Sequence, residues 1–370
     1  MMRVGVIGGG QLAWMMATAA RSLHLQLIVQ TPKPDDPAVG IADDVILAAI
    51  DDAQATAALS DRCDVITFEN EFVDLEGLRS IAQTGVQFFP QLSVLEPLLD
   101  KYDQRQFFQT IGSPVPRFAA IELTDSAALS QFGFPVVLKA RRHGYDGQGT
   151  FILRSPDAAF PNLKQPLLEE FVPFERELAV MVARSQQGEI VTYPVVETQQ
   201  HDQVCRRVLV TNDLSIEIQQ AVEAIARQFV TSLQAVGIFG IELFLTSDHQ
   251  VLVNEVAPRT HNSGHFSIEA CETSQFEQQL RAVCGLPLGS TAMKSAGAVM
   301  VNLLGYESSR SNYADVRDRL AERPQTFVHW YGKESRPGRK LGHVTVLLGS
   351  GDRAQAIEQA EAIEAIWYPD

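Results

Sequence analysis

The sequence predicts a mixed α/β and α+β protein. An N-terminal unit on a doubly wound parallel sheet is followed by a small β-rich unit and a larger α+β unit. Over the first 95 residues, short and almost wholly apolar runs alternate with helical patterns, as in a parallel sheet covered on both faces. A glycine-rich loop then joins two short strands between residues 136 and 153. Beyond it, longer strands flank one extended amphipathic pattern. At 370 residues the chain exceeds what a single core usually supports, so two or three domains are expected.

The elements follow in order. Val4-Gly5-Val6-Ile7 is a buried strand, Gly8-Gly9-Gly10 a turn, and residues 11–21 an apolar helix. Strands at 25–30, 45–47 and 64–68 complete the first unit, 1–95. A helix at 98–111 is stopped by Gly112, Pro114 and Pro116. Strands at 136–140, 150–153 and 167–171 form the small central unit, 96–175. The third unit, 176–370, has strands at 178–183, 190–196, 240–245 and 251–255. Its long helix, 215–235, has Asp213 near its start as a cap, and a final helix spans 352–366.

The formal charge is −15, from 30 basic and 45 acidic side chains. That balance argues against a nucleic-acid surface, which needs clustered Lys and Arg. It also makes any local basic cluster informative. Cys63, Cys205, Cys271 and Cys284 are scattered, as free thiols are, without zinc or disulfide spacing. The first residues enter a strand directly, and no apolar stretch approaches a membrane span. The cytoplasm is the expected compartment, with no membrane partner.

The glycine run opens a helix whose amides suit an anion. An NAD site would also need a carboxylate after the second strand, where Gln30-Thr31-Pro32 stands instead. The run therefore reads as a phosphate or small-metabolite element, or as a plain tight turn. Lys139 ends an apolar strand and leads into a loop with Gly144, Gly147 and Gly149. Such a loop can fold its amides over phosphates, and a buried lysine needs an anion; a glycine-rich hairpin with a surface lysine is the alternative. The strand 167–171 stops before Pro173, as an edge whose backbone can read an adenine, and Glu177 is placed to accept from ribose hydroxyls.

Residues 241–255 read as a hairpin turning near Asp248, which sets Glu242 across from Glu255. Two such close carboxylates call for a cation, and hard oxygen donors suit magnesium; a solvated acidic pair is the alternative. His261 and His265 have H-x-x-x-H spacing, but Pro258 and Gly264 oppose a helix and no third zinc ligand is evident. That loop better suits an anionic intermediate, with Arg259 stabilising its charge. Lys333, Arg336, Arg339 and Lys340 form the basic cluster, a candidate phosphate site.

Lys139, the loop Gly144-Tyr145-Asp146-Gly147-Gln148-Gly149, Glu169-Glu170-Phe171-Val172 with Glu177, and Glu242 with Asn254-Glu255 resemble the ATP-grasp superfamily. Three further runs narrow the resemblance: Gly8-Gly9-Gly10-Gln11-Leu12, the segment from Asn254 to His265, and Gly338-Arg339-Lys340-Leu341-Gly342-His343. Together they are similar to the 5-(carboxyamino)imidazole ribonucleotide synthases of purine biosynthesis, over essentially the whole chain. The resemblance implies an ATP-grasp fold with a pre-ATP-grasp N-terminal domain and a lid. It also implies ATP and magnesium without biotin or NAD, bicarbonate and aminoimidazole ribonucleotide as substrates, and a homodimer.

By the same resemblance, Lys101, Lys139, the loop from Gly144 through Thr150, Glu169, Glu170, Phe171, Val172, Glu177, Asn254 and Glu255 bind ATP. Glu242 and Glu255 carry the metal. Gly10, Gln11, Glu71, Tyr145, Arg259, His261, Asn262, Lys333 and Arg339 bind the ribonucleotide, and Asp146 and Arg259 act in catalysis. Lys101 stands where the family often has Arg, Gln148 where a basic residue is common, and Phe72 where Asn is frequent; Gln200-His201 shifts a histidine by one place. Another ATP-grasp ligase, such as a formate-dependent glycinamide ribonucleotide transformylase, is the rival reading. A dehydrogenase and a non-catalytic nucleotide-binding regulator are the rivals of other classes.

Overall fold

A computed structural model of the chain describes residues 1–121, 129, 131–142, 144, 149–156, 158, 161, 163 and 165–368. The N-terminal sheet holds β1 (Arg3–Ile7), β2 (Gln26–Thr31), β3 (Asp44–Leu47) and β4 (Val65–Phe68), all parallel in the order β3-β2-β1-β4. Val4 and Val6 pack on the helix Gln11–Ser22, while Ile7 packs with Leu59 and Leu78 on the opposite face. Burial on both faces is why these strands read as unbroken apolar runs. Phe276, Leu280 and Val283 of the helix Gln275–Val283 join the first of these cores, which ties this unit to the third.

The central sheet is antiparallel, with β5 (Phe118–Ala120), β6 (Val136–Lys139), β7 (Thr150–Leu153) and β8 (Leu167–Glu170) in the order β5-β8-β6-β7. The free edge expected at 167–171 is corrected here: β8 pairs on both sides. The chain leaves the ladder only at Phe171, as it nears Pro173, which has no N–H to offer.

A nine-stranded antiparallel sheet makes up the rest. It comprises β9 (Phe174–Arg184), β10 (Ile190–Thr192), β11 (Val196–His201), β12 (Val204–Val210), β13 (Gly237–Thr246), β14 (Val251–Ala257), β15 (Gly297–Leu304), β16 (Thr326–Trp330) and β17 (Lys340–Leu348). The single strand expected at 190–196 is two, divided at Tyr193-Pro194, and β12 had no counterpart in the sequence reading. The long helix runs Ile216–Ser232 and is capped by Ser215, whose hydroxyl accepts from the Ile218 amide. Asp213, the expected cap, instead pairs with Arg176 at 2.6 Å.

The helix Lys101–Thr110 begins three residues later than expected because Asp100 caps it and Pro97 lies in the preceding turn. Gln104, Arg105 and Phe108 make its buried face. Phe108 stacks on Phe229 of the long helix with ring centroids 5.3 Å apart, which anchors Lys101 beside the large sheet.

Candidate active site

A cavity of about 1410 Å³ opens where the three units meet, and its wall draws on all of them. At one end, β13 and β14 pair Glu242 with Glu255, and a bulge follows Glu242 in the ladder. Both side chains line the cavity. Burial, reinforced by Glu255, pushes the Glu242 carboxyl up to about 8. Burial would raise Glu255 as well, but Lys101 and Lys139 overcome it and hold that carboxyl at about 2. Lys101 is ion-paired with Glu255, and Lys139 reaches the Asn254 side-chain oxygen at 2.9 Å and Glu169 at 2.7 Å.

This donor set fits magnesium, as two carboxylates and an amide oxygen are all hard ligands. Among the described residues no group of three or more His, Cys, Asp or Glu surrounds one point. The Glu242 carboxylate lies 3.5 Å from His261 Nε2.

The next stretch of wall is apolar. Phe174 and Phe244 stack with centroids 4.8 Å apart and planes within 6°. Phe171, Val172, Val137 and Ile152 continue this surface. Glu177 borders it on β9, where burial raises its carboxyl and the Gln200 side chain donates to it. Gln200 thus acquires a place that the sequence left open. Glu169, expected beside the base, has its carboxylate enclosed between Arg105 and Lys139, while the Glu170 carboxylate accepts from the Arg117 amide at 2.8 Å.

Arg259 is held by Glu71 at 2.7 Å, and both line the cavity. Lys333 donates to the Gln11 side chain, and burial brings its ammonium down to about 8. Arg339 stands on the same wall with one guanidinium nitrogen on the Glu334 carbonyl at 3.0 Å. Asn262 and His261, the latter also facing Glu242, line the cavity too; Asn262 exchanges amide hydrogen bonds with Asn302 at 2.7 and 3.0 Å. His265 is fully buried off the cavity, beside Gln275. No zinc pair forms with His261.

The glycine run sits against a carboxylate of the protein itself. A Cβ on Gly10 would fall 2.4 Å from the Glu69 carboxylate, which also accepts from the Leu12 amide at the start of the helix. Gly10 therefore backs the cavity wall, on which Gln11 and Glu69 are exposed to the interior. Gly144 and Thr150 line the cavity and Gly149 lies behind it, with φ +82° and its carbonyl on the Ala140 amide at 2.7 Å. Tyr145, Asp146, Gly147 and Gln148 lie outside the described residues.

Sequence reasoning missed Glu69, Arg105, Phe174 and Phe244. A helical wheel would have found Arg105, since positions 101, 104, 105 and 108 share one face. Phe174 and Phe244 come together only through the β9–β13 pairing, which no local pattern reveals.

Three family models match along the chain. They are a ribonucleotide synthetase preATP-grasp domain over residues 1–97, an ATP-grasp domain over 106–276, and a phosphoribosylaminoimidazole carboxylase C-terminal domain over 298–358. The N5-carboxyaminoimidazole ribonucleotide synthase of Synechococcus elongatus is 55% identical, across 98% of this chain and 95% of its own length. The chain belongs to the N5-carboxyaminoimidazole ribonucleotide synthases. The solved synthase of Thermotoga maritima matches with a TM-score of 0.88 at 39% identity, over 99% of this chain and 98% of that one. The synthase of Aspergillus clavatus in complex with ADP and 5-aminoimidazole ribonucleotide matches with a TM-score of 0.90 at 30% identity, over 99% and 98%. The fold is that of an ATP-grasp synthase with its preATP-grasp and C-terminal domains.

Proposed function

We propose that this cavity carries out the ATP- and bicarbonate-dependent carboxylation of the exocyclic amine of 5-aminoimidazole ribonucleotide, giving the N5-carboxyamino product of purine biosynthesis. One observation supports this most strongly. The Glu242–Glu255 pair, with Lys101, Lys139 and Asn254, lines the same cavity as a second cationic group, Arg259, Lys333 and Arg339. A triphosphate and a ribonucleotide phosphate can each take their own group of cations.

The base of ATP is assigned to the apolar wall around Phe174 and Phe244, the ribose to Glu177, and the phosphates to Lys101 and Lys139. Glu242, Glu255 and Asn254 would hold magnesium, which would supply neutralisation of charge on the transferring phosphoryl group. A bicarbonate oxygen attacks the terminal phosphorus, forming carboxyphosphate and releasing ADP. The amine nitrogen then attacks the carboxyl carbon, phosphate leaves, and the amine loses a proton. Arg259, fixed by Glu71, stabilises the negative charge of the intermediate. Asp146 is assigned to orient the amine. The central unit, 96–175, closes Gly144 and Thr150 over the phosphates and keeps water from the labile intermediate. Lys333 and Arg339 take the ribonucleotide phosphate, with Gln11 and Asn262 beside them.

No helix among the described residues is long and apolar enough to cross a membrane. A cytoplasmic homodimer is part of the proposal, on the family's pattern, and sedimentation analysis tests the dimer. ADP release tests the reaction: it requires ATP, aminoimidazole ribonucleotide and bicarbonate together. Turnover with formate and glycinamide ribonucleotide in their place would move the chain to the rival ligase.

A further inference from the structure

We propose that Arg105, which lies behind the cavity wall, is a positioning residue that gives Lys139 its surplus positive charge for the ATP phosphates. Arg105 is 2% exposed and Glu169 is 3% exposed, and the arginine Nε bonds one oxygen of the Glu169 carboxylate. The other oxygen of Glu169 takes Lys139 Nζ at 2.7 Å. Lys139 continues to the side-chain oxygen of Asn254, next to Glu255, at 2.9 Å. Lys139 and Glu169 line the cavity; Arg105 does not.

Charge counting shows what the buried arginine contributes. Lys139 with Glu169 alone would be a neutral pair, and a phosphate approaching it would meet attraction and repulsion of similar size. With Arg105 the cluster carries a net +1, and its cavity-facing member is the lysine ammonium. An arginine suits the hidden position because its guanidinium does not deprotonate on burial, whereas a lysine there can. Arg105 together with Lys139 keeps the Glu169 carboxyl at about 2, despite the burial that would raise it. Glu169 therefore remains an anion, shared by the two cations, and Lys139 is held at one oxygen rather than chelated by both. The sequence sets this up through spacing: Arg105 is one helical turn from Lys101, so one helix presents a cation to Glu255 and another to Glu169.

The inference rests on the assignment of Lys139 to the ATP phosphates, and the test separates the two. Binding of a non-hydrolysable ATP analogue is measured by calorimetry on the full chain, with the KM for ATP and for aminoimidazole ribonucleotide measured alongside. Arg105→Met weakens the analogue by roughly tenfold or more and raises the ATP KM in parallel. The ribonucleotide KM stays within about threefold. The double variant Arg105→Met/Glu169→Gln leaves Lys139 as the lone charge, again +1, and returns analogue binding to within about threefold of the parent. A merely structural role for Arg105 would give no such rescue. Should Arg105→Met not fold, the double variant decides alone, because it removes Arg105 and its carboxylate partner together and leaves Lys139 its bond to Asn254 on the cavity wall. Wild-type analogue affinity in folded Arg105→Met, or a tenfold loss that persists in the double variant, overturns the proposal. If Lys139→Met binds the analogue as the parent does, the phosphate assignment itself fails instead.

Discussion

Glu242 on β13 and Glu255 on β14 are cross-strand partners, and their side chains enter the same cavity beside Lys101 and Lys139. The bulge after Glu242 interrupts the ladder at the point where both acids must face the same way. Two half-buried carboxylates paired across a ladder require a proton or a cation between them, and the raised Glu242 carboxyl expresses that requirement. The nucleotide end of the cavity is organised around this pair.

The second cationic group titrates. Lys333 is brought down to about 8 by burial, so its ammonium is charged below that pH and neutral above it. A phosphate contact made by Lys333 is therefore present at low pH and lost as pH rises through 8. The kcat/KM for aminoimidazole ribonucleotide is expected to fall above pH 8, by up to about tenfold per unit. In Lys333→Arg the descending limb disappears, because a guanidinium does not titrate there. A wild-type profile flat to pH 9.5 would remove Lys333 from the phosphate site.

Gly10 tests the packing of the N-terminal turn. A methyl group there meets the Glu69 carboxylate closer than any contact allows, so the carboxylate or the turn must shift. Gly10→Ala is expected to cost the ribonucleotide site about 1–3 kcal/mol, seen as a ribonucleotide KM raised roughly tenfold or more. The ATP KM should hold within about threefold. Equal losses for both substrates would point to general unfolding of the turn.

Phe229 is fully buried between Phe108, Phe107 and Phe239. Phe229→Ala is expected to lower stability by about 3–5 kcal/mol, read from the urea midpoint. Because Phe108 shares the helix of Lys101, the same variant should also weaken ATP binding. A midpoint within error of the parent would show that this aromatic stack does not anchor the helix.

The legible parts of the molecule were those set by local chemistry. The apolar runs of the first sheet follow from burial on both faces, and the Glu242–Glu255 register follows from a short turn at Ser247-Asp248-His249. The capping residue of the long helix was misplaced because Asp213 and Ser215 are both good caps, and the ion pair with Arg176 that claims Asp213 is formed across the chain. The β8 edge was misread for a similar reason. Its partner β5 is only three residues long and carries no strand signal of its own. Glu69 escaped notice because the cations that face it, Arg259 and Lys333, lie far along the chain, and the helical face that marks Arg105 does not reveal its partner Glu169.

The carboxylate pair is tested most directly by manganese binding, followed by electron paramagnetic resonance, with a non-hydrolysable ATP analogue present. The parent protein should bind one ion per chain under these conditions. Glu242→Gln and Glu255→Gln should each weaken it by roughly a hundredfold while the fold, by circular dichroism, is retained. Tight manganese binding that survives both substitutions would contradict the assignment of Glu242 and Glu255 as the metal ligands.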